Sequence, residues 1–338
     1  MTVHDAPGAG NFTGLRALAG CGGCAAKAPA ELVALLAGVA AASGRGVAQA
    51  LVGLDPVDDA VVYPLEAERA LVATVDFFPP LVDDPDDYGT IAAANAVSDI
   101  YAMGGEVAFA LAVSGFPASV PAAVVADVNR AAAALVTACG GAVLGGHSIR
   151  CAEPVFGLCV LGFVHPERIW RKSGARAGDV LMLSKPLGTG LLLSSRCATA
   201  LPAAVRSMRE TNRAAAALLR SQGTPPHAVT DITGFGLLGH ASEMARQSRV
   251  NLHLEAAHLP LLPGAMAAAT AGVRTSAHRQ ATVSVSGVDP VMLALLQDPQ
   301  TSGGLLASVA PETMPALAAA GWSRIGEVTV GPGEVLVH

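Results

Sequence analysis

Short apolar runs bounded by turn residues alternate along this chain with segments whose apolar positions recur every three or four residues. The runs at 51–53, 70–75, 107–113, 142–144, 155–163, 180–184, 251–255, 305–309, 325–330 and 334–337 read as strands. Helical spacing extends from 31 to a turn at 43–46, and over 86–103, 119–138, 191–199, 212–219, 263–271, 291–296 and 312–320. Ser119 reads as an N-cap, and Gly104-Gly105 as a helix stop. Strand pairs follow one another too closely for parallel crossovers throughout, so the expected fold class is α+β. At 338 residues the chain exceeds what one hydrophobic core supports, and two domains of roughly 150 residues are expected. The polar stretch Arg171-Lys172-Ser173-Gly174-Ala175-Arg176-Ala177-Gly178-Asp179 is where the boundary falls.

The informative residues are the polar ones that break this pattern. Asp58 and Asp59 stand side by side between apolar runs, either as a solvated turn or as a pair neutralised by a cation or by donors. Asp76 ends a buried strand, which is where ligands meet a sheet. Asn95 and Asp99 are four apart on one face of an almost wholly apolar helix. Burying an ionised Asp without a partner costs several kcal/mol, so Asp99 calls for a cation, a bound ligand or backbone donors. Gly145-Gly146-His147-Ser148 reads as a turn whose amides and hydroxyl can bind a phosphate, or as a plain turn. Asp231, followed by Gly234, Gly236 and Gly239, repeats the arrangement of apolar approach, acid and glycines at a helix start. Near the N-terminus, Cys24 and Lys27 are three apart, so an ammonium can favour the thiolate. The same Cys21-Gly-Gly-Cys24 stretch is also compatible with a redox pair, half a zinc site or inert thiols.

Composition narrows the classes. A net charge of −6 with 4% aromatic residues offers neither a basic groove nor a stacking platform, so no nucleic-acid partner is expected. The long uncharged runs at 107–126 and 131–149 are broken by Pro117 and Pro121 and by paired glycines, so no membrane span is expected. Residues 1–11 carry no apolar core behind a basic start, and the 6 cysteines then read as reduced thiols of a cytoplasmic protein. The chain has neither a G-x-x-x-x-G-K-[ST] loop nor a full G-x-G-x-x-G turn after its first strand. Carboxylates without histidine clusters favour Mg²⁺ over zinc, and Mg²⁺ held by Asp commonly serves a polyphosphate. The residues alone therefore point to ATP-dependent phosphoryl transfer, with a thiol for a soft substrate.

Seven stretches, in order, carry a resemblance: Cys24-Ala-Ala-Lys27, Asp58-Asp59-Ala-Val-Val-Tyr63, Thr74-Val-Asp76-Phe-Phe, Ala94-Asn95-Ala-Val-Ser-Asp99-Ile-Tyr-Ala-Met-Gly-Gly105, Gly145-Gly-His-Ser148, Asp231-Ile-Thr-Gly-Phe-Gly-Leu-Leu-Gly-His240 and Asp298-Pro-Gln-Thr-Ser-Gly-Gly304. With these the chain resembles the selenophosphate synthetase (selenide, water dikinase) family of the aminoimidazole ribonucleotide synthetase-like superfamily. The resemblance implies ATP, hydrogen selenide and water as substrates, with selenophosphate, phosphate and AMP as products. It implies two α+β domains with mixed sheets: a mobile glycine-rich arm over 1–28, an ATP- and Mg²⁺-binding domain over 29–170 that pairs into a homodimer, and a C-terminal domain over 171–338. It implies Cys24 and Lys27 as catalytic residues, and Lys27, Pro56, Val57, Asp58, Asp76, Asp99, Gly146, His147 and Ser148 at ATP. Asp59, Asp99 and Asp231 are implied as metal ligands.

The match departs from the family pattern at three places. The family more often has its cysteines closer to the lysine, Pro56-Val57 replaces polar residues, and the loop Val273-Arg274-Thr275-Ser276-Ala277-His278-Arg279 is imperfect. Two rival readings stand beside it: a relative that phosphorylates an oxygen and releases ADP, and a non-catalytic regulator that binds Mg-ATP.

Overall fold

The computed structural model describes residues 12–20, 49–54, 56–195, 199–275, 278, 285 and 287–338. The helix expected from residue 31, together with Cys24 and Lys27, lies outside them.

The first half builds a six-stranded sheet from β1 (Val52–Leu54), β2 (Val57–Glu66), β3 (Arg69–Phe78), β4 (Glu106–Phe116), β5 (Val143–Arg150) and β6 (Val155–Val164), in the order β1-β2-β3-β6-β4-β5. Every neighbouring pair is antiparallel except β4 with β5, which is parallel. Alternation along β3 is plain: Ala70, Val72 and Phe78 are buried, whereas Val75 and Phe77 are each 53% exposed. The helices α1 (Pro85–Ala102) and α2 (Ala122–Ala138) cover the buried side.

Local chemistry sets the start and stop of α1. Asp84 caps it, accepting from Asp87 N–H at 2.9 Å, Pro85 opens it, and Asp86 and Asp87 complement the dipole of its first turn. It ends before Gly104, at φ 76°. Every residue from Tyr88 to Ala102 is buried, because α1 has the sheet on one side and α2 and the second half of the chain on the others.

The second half builds another six-stranded sheet from β7 (Val180–Leu183), β8 (Ala228–Asp231), β9 (Val250–Leu254), β10 (Leu305–Val309), β11 (Ser323–Val330) and β12 (Val335–Val337), in the order β12-β9-β11-β7-β10-β8. Only β12 with β9 is parallel. Its helices are α3 (Thr189–Ser195), α4 (Leu201–Arg209), α5 (Arg213–Ser221), α6 (Gly236–Ser248), α7 (Ala265–Thr270), α8 (Pro290–Leu296) and α9 (Met314–Ala319). One apolar cluster runs from Ile91, Tyr101 and Phe156 into Met182, Leu305 and Ala307, so the two halves share a core. A second, with Leu181, Leu183, Leu238, Met244 and Leu306, fills the other face of the C-terminal sheet. Two mixed sheets with segregated helices make the architecture α+β. Among the described residues no helix is long and apolar enough to cross a membrane.

Three local expectations change. Gly145-Gly146-His147-Ser148 is not a turn: it continues β5 and pairs in parallel with Leu111, Ala112, Val113 and Ser114. A Cβ on Gly146 would lie 2.2 Å from Ala112 O, so that glycine serves close strand approach. Helix α2 starts at Ala122 after Pro121, with no side-chain cap, so Ser119 is not its N-cap. Helix α4 was hidden by Pro202, which reads as a breaker but sits in the first turn, where its missing N–H costs nothing.

Candidate active site

The strand ends of both sheets meet at α1. Thr74 donates its hydroxyl to Asp99 Oδ2 at 2.5 Å, and Asn95 donates its amide to Asp76 Oδ2 at 2.6 Å. Both donor and acceptor residues follow from periodicity: alternate residues of β3 face α1, and Asn95 and Asp99 share one of its faces. Ser98, beside Asp99, donates to Asp231 Oδ2 at 2.6 Å, and Thr230, beside Asp231, donates to Asp59 Oδ1 at 3.0 Å. Asp59, Asp231, Asp99 and Asp76 are thus brought together from β2, β8, α1 and β3.

A buried lysine closes one end of this chain of acids. Lys172 Nζ is 2.9 Å from Asp59 Oδ1 and 2.9 Å from Glu243 Oε2 of α6. The backbone N–H of Lys172 donates to Asp58 Oδ2 at 3.2 Å, while Asp59 N–H donates to Asp58 Oδ1 at 2.9 Å. Burial would lower the Lys172 pKa, but Asp59 and Glu243 outweigh it and hold the ammonium above the ordinary lysine value. Burial, reinforced by Asp59, pushes Asp58 up to about 7 against the pull of Lys172. Asp59 is likewise pushed up by burial and pulled back by its ion pair with Lys172.

A second buried lysine braces the other end. Lys185 donates to the carbonyls of Ser302, at 2.8 Å, and Glu210, and burial pulls its pKa down to about 8 against the fields of Glu210 and Asp231. Ser302 holds a left-handed φ of 51°, and its N–H donates to Asn95 Oδ1 at 2.8 Å. That contact turns the Asn95 amide nitrogen toward Asp76.

The donor set is all oxygen, which suits a hard cation. Asp59 Oδ2 is buried and has no hydrogen-bond partner among the described residues, as expected of an oxygen kept for one. The residues therefore fit Mg²⁺. Among the described residues the trio of acids whose carboxylates all lie within 4.8 Å is Asp84, Asp86 and Asp87, which is engaged by Arg209 and by the α1 cap. Asp59, Asp99 and Asp231 do not form so tight a cage, and a Mg²⁺ ion there would complete its shell with phosphate oxygens and water.

A cleft of about 370 Å³ opens beside the acids, lined by Val57, Asp58, Asp59, Thr74 and Cys159 among others. Pro56 and Val57 are exposed, and of the two Val57 lines the cleft. Gly146, His147 and Ser148 are exposed on β5, with β6 and β4 between them and β3, so within one chain they stand apart from the acids. Sequence reasoning missed Lys172, Glu243, Ser98, Thr230 and Lys185. The available signal was scarcity, because the chain has only three lysines, at 27, 172 and 185.

Two family models span these halves: AIR synthase related protein, N-terminal domain, at residues 57–164, and its C-terminal domain at 176–338. The fold agrees, since AaThiL complexed with AMPPCP and TMP superposes with a TM-score of 0.67 at 22% identity, over 90% of this chain and 92% of that one. The class is therefore AIR synthase related. Within it, a selenide, water dikinase of Burkholderia ambifaria is 44% identical over 95% of this chain and 96% of its own. One of Paraburkholderia xenovorans is 44% identical over 85% and 86%. The chain belongs to the selenide, water dikinase family.

Proposed function

We propose that this chain is an ATP-dependent phosphotransferase that converts hydrogen selenide and water to selenophosphate, releasing phosphate and AMP. The carrying observation is the meeting of Asp59, Asp99 and Asp231, from both halves, beside an open cleft, with Asp59 Oδ2 buried and unpaired. The family relatives supply the substrate class.

In this reading Asp59, Asp99 and Asp231 would hold Mg²⁺, which would offset the negative charge of the ATP phosphates. The protein's own groups do the positioning. Thr74 fixes the Asp99 carboxylate, Ser98 fixes Asp231, Asn95 fixes Asp76, and Lys172 fixes Asp59. Because these donors are already oriented, little reorganisation is left for the moment of transfer. Selenide takes the γ-phosphoryl group from ATP, and water then cleaves the ADP left behind, giving AMP and phosphate. Cys24 and Lys27 are assigned to selenium handling and turnover: a thiolate beside an ammonium is a soft nucleophile suited to selenium. The 1–28, 29–170 and 171–338 division and a cytoplasmic site, where thiols stay reduced, belong to the same proposal.

We assign a homodimer through the uncovered face of the N-terminal sheet, where Val61, Tyr63, Val75, Phe77, Leu111 and Phe163 are exposed together. Gly146, His147 and Ser148, on the edge strand, are assigned to nucleotide contacts across that pairing. Phe77→Glu places a charge in this face, and light scattering on the eluting protein should report monomers where the parent chain gives dimers.

Phosphorus NMR of the full chain with Mg-ATP and reduced selenide tests the reaction. Selenophosphate, phosphate and AMP appearing together is the expected result. ADP as the final nucleotide, or no turnover with or without selenide, would contradict it.

A further inference from the structure

The ammonium beside Asp59 has a consequence beyond orienting that residue. Two carboxylates, Asp59 and Glu243, face the single charge of Lys172, so the pocket around its Nζ carries surplus negative charge, while Asp58 meets only the backbone N–H of Lys172. The Lys172 and Asp59 side chains are 6% and 4% exposed, and Glu243 is 28% exposed. Thr230 adds its hydroxyl on Asp59 Oδ1, the oxygen that Lys172 already holds, while Oδ2 has no partner among the described residues. An ammonium is a compact cation with three donors and no acceptor. Seated at 2.9 Å from one oxygen of each of two carboxylates, it occupies the place a free cation would take.

We propose that Lys172 is a resident cation: its ammonium fills a cation site built by Asp59 and Glu243, a site that would otherwise take a small exogenous cation. By engaging one oxygen of Asp59 it reserves the other for the metal that accompanies the nucleotide. Only this second statement rests on the proposed function; the site itself stands without it.

Lys172→Ala removes the charge and opens a space of its size between the two carboxylates. Breaking a buried pair on one side leaves uncompensated charge, and in a chain of this length the melting temperature should fall by about 5–10 °C. The test melts the full chain, free of metal and nucleotide, in tetramethylammonium chloride, then replaces that salt stepwise by methylammonium chloride at constant ionic strength. The parent chain should be indifferent to the exchange. K172A should regain at least half of its loss in methylammonium, which fits the space and donates hydrogen bonds, whereas tetramethylammonium is larger and donates none. Lys172→Met, which fills the space without a charge, should lose stability and regain nothing. A K172A chain that does not fold in tetramethylammonium should refold in methylammonium. The proposal is overturned by a K172A chain as stable as the parent, by equal response to both salts, or by a parent chain that responds as K172A does. Failure of selenide-dependent turnover in the parent would sink the proposed function and leave this result untouched.

Discussion

Asp231 and Asp298 are equally hidden, at 1% and 0% exposure, yet the molecule treats them differently. Asp298 is enclosed by its own domain: its Oδ2 accepts from Gly190 N–H at 3.1 Å and from Gln300 Nε2 at 2.9 Å. Gln300 in turn accepts from Gly188 and Thr189, so the whole group staples the turn before β10 to the start of α3. Burial pushes the Asp298 carboxyl well above the usual range despite these donors. Asp231 instead reaches across to Ser98, next to Asp99, and its neighbour Thr230 reaches Asp59, where Lys172 keeps a positive charge in place. Concealment of an acid therefore does not mark chemistry here. In the proposed function what marks it is acids from separate elements meeting beside a cleft with a cation among them.

The largest separation between the two clusters is in turnover. Asp99→Asn should cut selenide-dependent ATP consumption at least about 100-fold, while Asp298→Asn, which keeps the size of the side chain and an oxygen to accept from Gly190 and Gln300, should stay within a few-fold of the parent. Parallel assays of the two purified variants decide this, and equal losses would break the contrast. Stability should reverse the ranking for the enclosed acid. Asp298→Ala removes the side-chain acceptor of the Gly190 N–H and one of the two acceptors of the Gln300 amide in a dry site, and denaturant unfolding should show a loss of about 1–3 kcal/mol.

A third contrast is in pH. Asp58 is raised from 3.8 to about 7 in the folded chain, so its contribution to stability is complete below about pH 4 and lost as pH rises through about 7. Asp298 leans the same way. Mg-ATP should flatten the part of the metal-free melting profile that Asp58→Asn also removes, and leave the Asp298 part unchanged.

Elements with one clear period were legible in the sequence. The helix carrying Asn95 and Asp99 and the strands carrying Asp76 and Asp231 emerged because polar residues interrupted regular apolar spacing, although β3 runs on past Asp76 to Phe78 instead of ending there. The partners of these residues were not legible, because each pairing spans a long stretch of chain: Lys172 lies 71 residues from Glu243, Ser98 133 from Asp231, and Thr230 171 from Asp59. Local pattern holds no information on such pairings. Gly145-Gly146 misled for another reason: glycine serves a tight turn and a close strand approach equally well, and only the register of β5 on β4 separates the two.

Diffraction from crystals grown with Mn²⁺ and a non-hydrolysable ATP analogue tests the central claim most directly, because the anomalous signal locates each ion. The account predicts ions bound by the carboxylates of Asp59, Asp99 and Asp231 and bridged to the analogue's phosphates. Signal confined to the Asp84, Asp86 and Asp87 group at the start of α1, with the nucleotide elsewhere, would contradict it.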